Sequence, residues 1–513
     1  MGLEVTSRPR FATLATWAVL VVAMLIGASL RLTNINAFGY NSDEAVYAGQ
    51  AAGIVGNEDL HPYFPVFRAH PLLFQFLIAL SFSSGVVDVM GRYVSVIIGL
   101  STVWLAYLAG GLMYGRIAGL AAAVFLALMP YHVVVTRQVL LDGPMALWAT
   151  LALYLLARHA ITQRAMWLYA AAGAIGLAFE TKETAVILIA AVYAYLALSP
   201  EIKVRLRDLV GSAIAIALIV LPFPISLAAA GGGGVTKTQA YFVWQLLRRP
   251  NHDLLFYPSV VPPAIGWLVV LTAVVTFIVL ARRASWRERL LGAWCVVPLL
   301  FFEIWPTKGF QYPIVVAPAV CILAGAGVAR LAARPAIRVR KLEVPGRRLA
   351  TILGVAIAIS LVIPSYQAVI PSSNGEFLAG SGGVPGGREA GGWVKEHVPP
   401  GGQLLAIGPS MANIIQFYGN RRTYGLSVST NPLNRNPSYD PMPNADSMIR
   451  SNAVQYIVWD SYSAARSAHF SETLLDFVHR YHGRSVHTEA VEVRHPDGAV
   501  EARPVIVIYE VRP

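Results

Sequence analysis

Apolar runs alternate with short polar stretches over most of the chain, and the alternation stops abruptly near residue 370. A hydrocarbon core takes about 20 apolar residues as a helix. Eleven stretches meet or approach that length, near 12–31, 92–113, 117–135, 143–158, 167–180, 184–199, 209–229, 260–281, 290–305, 312–332 and 349–370. Arg8 and Arg10 precede the first, but its length and the lack of a small-x-small cleavage site after it make it an anchor rather than a cleaved leader. Lysine and arginine mark the inner side of a membrane. With the N-terminus inside, Arg116, Arg158, Arg164, Lys203, Arg205, Arg207, Arg282, Arg283, Arg287, Arg289 and the basic stretch 334–348 all fall in cytoplasmic loops. A span at 71–87 would invert every later loop, so that stretch is expected to lie at the outer surface as an amphipathic or re-entrant segment.

Three regions then face outward: a loop over 32–91 with amphipathic helices, a second over 231–259 that opens with four glycines, and everything after 371. The last begins with Gly382, Gly383, Pro385, Gly386 and Gly387 and then turns polar. Strand-like runs at 403–407, 455–459 and 505–511 alternate there with helix-like stretches at 389–397, 411–418 and 472–481. The expected fold is mainly α: about 11 transmembrane helices over 1–370, followed by an extracytoplasmic soluble α/β domain over 371–513. The tail carries no G-x-G-x-x-G, no phosphate-loop motif and no zinc spacing.

Composition sharpens this picture. At 56% hydrophobic and 13% charged residues, an ordinary soluble protein is excluded. Both cysteines, Cys295 and Cys321, lie in apolar runs, which removes a disulfide framework or a cysteine-rich metal site. The formal net charge of +12 falls before residue 371, since basic and acidic residues nearly balance after it. That distribution fits membrane orientation and not a nucleic-acid partner.

Ionisable residues in or beside spans are expensive and become functional candidates. Asp43, Glu44, Arg68, His70, Asp88, Arg92, Arg137, Asp142, Glu180, Lys182, Glu183, Glu303 and Lys308 are all expected near one membrane face, where a shared polar cavity would satisfy them. Each has a plainer reading. Asp43, Glu44 and Asp142 could cap helices; Arg92 and Arg137 could anchor at the interface; Lys182 could pair with Glu180 and Glu183; Lys308 could be a loop lysine. Together, an acidic pair and several outward cations suit an acid/base step on an anionic substrate.

These residues occur in ordered short motifs: Asp43-Glu44 with Tyr47, Arg68-Ala69-His70-Pro71-Leu72, Arg92, Leu141-Asp142-Gly143-Pro144, Thr181-Lys182, and Thr307-Lys308-Gly309 with Tyr312 and Pro318. Their order over 1–370 resembles the GT-C superfamily of polytopic glycosyltransferases, in particular bacterial dolichyl-phosphate-mannose protein mannosyltransferase-like enzymes and lipid A aminoarabinose transferase. Two departures concern the donor phosphate. Phe310 and Gln311 stand where relatives often place a second basic residue, and His70 stands where the aminoarabinose enzymes have lysine.

The resemblance implies inverting transfer of a sugar from a polyprenyl-phosphate donor to a lipid, glycan or protein acceptor at the outer face of the cell membrane. Asp43 is then the general base, and Glu44, Tyr47 and Asp142 orient the base or hold the acceptor. Arg68, His70, Arg92, Arg137, Lys182 and Lys308 bind the donor phosphate. No cofactor is required; Mg or Mn could be held if folding unites Asp43, Glu44, Glu180 and Glu183. Two rival readings of the same charges are a lipid flippase or transporter, and a non-catalytic lipid- or glycan-binding membrane protein.

Overall fold

The computed structural model describes residues 10–513 apart from 68–69, 231–233, 249, 283, 336, 340–341, 372–383, 443 and 496. The chain is mainly helical up to Val369. All eleven apolar stretches form helix, but the count of about 11 spans is not reproduced. Among the described residues six helices are long and apolar enough to cross a membrane, or seven if the pair Phe256–Ile265 and Trp267–Ala281, bent by 99°, counts as one. The helix Trp286–Ile304 is 19 residues long but carries Arg287, Glu288, Arg289 and Glu303, and the other stretches are short or broken for local reasons. Pro130 has no N–H to continue the helix Arg116–Leu128, so a new helix starts there as Pro130–Val135. The helix Ala165–Thr181 stops where Lys182 turns extended, at φ −154° and ψ 125°. The 99° bend falls at Gly266, whose φ of +98° suits only glycine, just after Pro262 and Pro263.

Spans approach closely where small residues line the contact. A Cβ on Gly119 would sit 2.4 Å from the Tyr107 carbonyl, and one on Gly325 would sit 2.4 Å from that of Ala118. These contacts lie within one continuous apolar core that runs from Leu20 to Val369. The helix Leu206–Ala229 rests on the helix Ala165–Thr181 by one half-buried face and exposes Ile214, Leu218 and Ile225 on its outside, as a lipid-facing helix does. The 71–87 stretch holds only the helix Leu73–Ser81. At 1.5 Å per residue it is too short to cross, and it buries Phe74 and Ile78 while exposing Phe76 and Leu80.

Two strands, β1 (Ile337–Val339) and β2 (Leu342–Val344), form a small antiparallel hairpin before the helix Gly346–Val369. After residue 383 come β3 (Gln403–Ala406), β4 (Thr423–Gly425), β5 (Val454–Asp460), β6 (Arg484–Arg494) and β7 (Val500–Glu510), in a mixed sheet of order β4-β3-β5-β7-β6. β3 is parallel to β4 and β5, whereas β7 is antiparallel to both β5 and β6. The helices Gly387–His397 and Pro409–Gly419 cover one face through Leu404, Ala406 and Val458. The helices Ala445–Arg450 and Ala468–Arg480 cover the other through Leu405 and Ile457.

This sheet region docks on the early loop. Arg388 pairs with Asp88 at 2.7 Å, the Tyr418 hydroxyl donates to Asp88 at 2.8 Å, and Phe417 packs edge-on against Tyr40. Asn413 donates to the Ser42 hydroxyl at 3.1 Å, which sets the helix Pro409–Gly419 beside the helix Ser42–Ile54.

Candidate active site

Asn41 begins the helix Ser42–Ile54 with a full capping box. Its side chain accepts the amides of Asp43 and Glu44, and the Glu44 carboxylate accepts the Asn41 amide. Glu44 is fully buried and takes two bonds from Arg92, at 2.8 Å from Nε and 2.7 Å from Nη2. The other Arg92 protons go to the carbonyls of Ile35, Phe38 and Gly39. All five donors are therefore used, which leaves none for a phosphate. Arg92 is held within this network, and Glu44 fixes the turn that carries Asp43.

Asp43 points the other way, into a cavity of about 220 Å³. Its carboxylate accepts no hydrogen bond from any described residue, although its side chain remains open to the cavity. Loss of bulk water raises its pKa above the ordinary carboxylate value; Lys182 opposes this, Asp142 adds to it and His70 opposes it.

Lys182 lies on the same cavity wall because the helix ends before it. Its ammonium donates to Asp142 at 2.6 Å and rests 3.8 Å from the centre of the Tyr312 ring. Asp142 is the first residue of its helix yet makes no capping bond, so its carboxylate is committed to Lys182. Glu183, which the sequence places beside Lys182, instead holds His70 Nδ1 at 2.8 Å. His70 Nε2 then faces the Tyr241 hydroxyl at 3.4 Å. Gln245 donates to that hydroxyl at 2.6 Å and accepts from Thr307 at 2.6 Å. Tyr47 completes this wall with its ring edge-on to His70.

The fold does not bring every expected residue here. Lys308 is buried and tied to Glu303 at 2.6 Å and to the Asp253 carbonyl at 2.7 Å, so it braces a loop outside the cavity wall. Arg137 donates to the Thr33 carbonyl at 2.6 Å and also stays outside. Arg68 lies outside the described residues. Among the described residues Asp43, Glu44, Glu180 and Glu183 form no cluster of three metal-ligating side chains; Glu44 pairs with Arg92 and Glu183 with His70.

Other lining residues were not singled out from sequence. Tyr241, Trp244, Gln245 and Arg248 come from the helix Gly234–Leu247 and the residue after it, and the Arg248 guanidinium stacks 4.5 Å from the Trp244 ring centre. The polar-aromatic run Tyr241-Phe242-Val243-Trp244-Gln245 between two apolar stretches was the signal for them. Gln311, at one of the two departing positions, also lines the cavity, and the sheet region adds Asn436, Ser438 and Tyr439.

The sequence model of the family described as dolichyl-phosphate-mannose-protein mannosyltransferase matches residues 69–227. No curated protein is matched. Among solved structures, apo ArnT from Cupriavidus metallidurans is similar at a TM-score of 0.68 and 14% identity, over 98% of both chains. The same protein bound to undecaprenyl phosphate gives 0.63 with the same identity and coverage. The oligosaccharyltransferase AglB from Archaeoglobus fulgidus, in complex with an inhibitory peptide and a dolichol-phosphate, gives 0.55 at 14% identity over 96% of this chain and 74% of its own. At such identity the likeness is one of fold. The family model takes in the motifs at His70, Arg92, Asp142 and Lys182 but not those at Asp43 and Lys308, and over the whole chain the resemblance is matched by the fold.

Proposed function

We propose that this chain is a multi-pass membrane glycosyltransferase that moves one sugar from a polyprenyl-phosphate donor to an acceptor hydroxyl, with inversion at the anomeric carbon. The observation that carries this reading is the Asp43 carboxylate, unpartnered among the described residues and open to a cavity that also presents Lys182 and His70. Asp43 takes the proton of the acceptor hydroxyl as its oxygen attacks the anomeric carbon. The bond from that carbon to the phosphate oxygen breaks, and the electron pair stays on the lipid phosphate.

Cations near the growing negative charge stabilise it most where water is excluded. Lys182 is poised for this by Asp142 and Tyr312, and Arg248 by Trp244, with the His70 ring held beside them by Glu183. Arg68 belongs to the same set by its motif. The two solved neighbours that hold undecaprenyl phosphate and a dolichol-phosphate support a lipid-phosphate donor. Because side chains supply the positive charge, the scheme needs neither Mg nor Mn, and turnover is expected to survive EDTA.

The basic loops support an orientation with the N-terminus cytoplasmic and both the cavity and the sheet domain outside. The test is Asp43→Asn in the purified protein, supplied with a polyprenyl-phosphate sugar. Turnover should fall while donor binding is kept; unchanged turnover would sink the reading.

A further inference from the structure

A second cavity, of about 270 Å³, opens from the first and shares Asp43, Leu140, Gln311 and Tyr439 with it. Its far wall belongs to the sheet domain: Gly408, Pro409 and Ser410 follow β3, Ser427 follows β4, and Asp460 and Ser463 end or follow β5. The helix after β3 packs on one face of the sheet and the helix Ala468–Arg480 after β5 on the opposite face. The cavity thus lies at the carboxyl ends of two adjacent parallel strands where the chain departs in opposite directions, the place where open α/β sheets bind ligands.

Two observations there point to a ligand. Asp460 is 1% exposed and lines this cavity; its Oδ1 accepts the Ser463 amide at 2.7 Å, but its Oδ2 has no hydrogen-bond partner among the described residues. A buried carboxylate oxygen left unpaired is costly unless a donor meets it. Lining the same cavity, the helix Pro409–Gly419 begins at Gly408, which has no side chain to cap it, and the amides of Ser410 and Met411 find no acceptor among the described residues.

The chemistry of the wall selects the ligand. The carboxylate accepts hydrogen bonds and repels phosphates and acidic sugars; the helix start donates and, with Arg466 nearby, disfavours cations. A group that both donates to Asp460 and accepts from the helix amides is an uncharged hydroxyl. The geometry points to a subsite in the sheet domain for a neutral sugar of the acceptor, held between Asp460 and the start of the helix Pro409–Gly419 and continuous with Asp43. This inference rests on the transferase reading for the word acceptor, but the binding site itself can be tested without turnover.

The experiment is saturation-transfer NMR on the full chain in nanodiscs with methyl α-mannoside, methyl α-arabinofuranoside and methyl α-glucoside. Glucuronate and inorganic phosphate serve as charged controls, the phosphate read by its competition with the sugar signal because it has no carbon-bound proton, and glucosyl diacylglycerol tests whether the sugar arrives on a lipid. Wild type should bind at least one neutral sugar, with affinity falling tenfold or more in both Asp460→Asn and the crevice-filling Ser427→Phe, each checked for an intact melting transition. Tighter binding of the glycolipid than of methyl glucoside would identify a lipid-linked acceptor, and equal binding a glycan. No binding by any neutral sugar, equal binding by the charged controls, or affinities unchanged in both variants would overturn the proposal. The same samples are titrated with undecaprenyl phosphate. Failure of that lipid to bind, with sugar binding intact, would count against the transferase reading and leave the sugar site standing.

Discussion

Glu44 and Arg92 form a buried two-pronged ion pair, at 2.8 and 2.7 Å, that joins the helix Ser42–Ile54 to the start of the span Asp88–Tyr114. Removing one partner leaves a buried charge, which is destabilising by about 3–5 kcal/mol. Arg92→Ala is therefore expected to lower the melting temperature and the yield of folded protein, and so to lose activity through loss of the site. A variant that melts like wild type but fails to bind donor would return Arg92 to the phosphate site.

Asp43→Asn keeps the shape of the cavity and removes the base. General-base catalysis contributes typically 10²–10⁴-fold, so kcat should drop by about that much while donor affinity, measured by titration of the lipid phosphate, changes only a few-fold.

The pH profile should carry the same residue's mark. Asp43 must be ionised to act, and burial raises its pKa above the ordinary value. Activity is then lost as pH falls through that raised value, so the acid limb should lie above the aspartate reference of about 3.9. The limb should be missing from whatever activity Asp43→Asn retains.

Lys182 and Arg248 present cations to the cavity with different neighbours. A hydrogen bond to a charged group contributes about 1.5–3 kcal/mol, so Arg248→Ala should weaken lipid-phosphate binding by roughly 10- to 150-fold with little effect on folding. Lys182→Ala should weaken it too, and should also lower the melting temperature because Asp142 loses its partner. Equal donor affinity in Arg248→Ala and wild type would remove Arg248 from the site.

Asp460 gives a stability prediction of known sign. Burial raises its pKa to about 6. The folded state therefore holds this proton more tightly than the unfolded state, and Asp460 lowers stability progressively as pH rises from about 4 to about 6. At roughly 1.4 kcal/mol per pKa unit, the difference approaches about 3 kcal/mol above that window. Asp460→Asn should melt near wild type at pH 4 and above it at pH 7.5; a constant difference across that range would show that Asp460 does not titrate in it.

Hydropathy and charge along the chain determined by themselves that this is a polytopic helical protein followed by an α/β region after residue 370, because apolar length and loop charge are one-dimensional properties. They could not separate a full span from a broken one: Pro130, the extended Lys182 and the bend at Gly266 redirect helices without altering average hydropathy. β6 escaped notice because its alternating polar residues sit on an exposed edge strand.

At the site, residue types and their order were enough to nominate Asp43, Tyr47, His70, Asp142 and Lys182, all of which line one cavity. Pairing was a matter for the tertiary structure alone. Arg92 and Lys308 look like the other cations in sequence, yet backbone carbonyls and a nearby carboxylate take all five protons of Arg92 and two of the three of Lys308. Arg248 and Asp460 lie far along the chain from Asp43 and reach its cavities only because the helix after residue 233 folds over the site and the sheet domain docks on Asp88. Which charge is free to act depends on which neighbours have already satisfied it, and that is decided by contacts between distant segments.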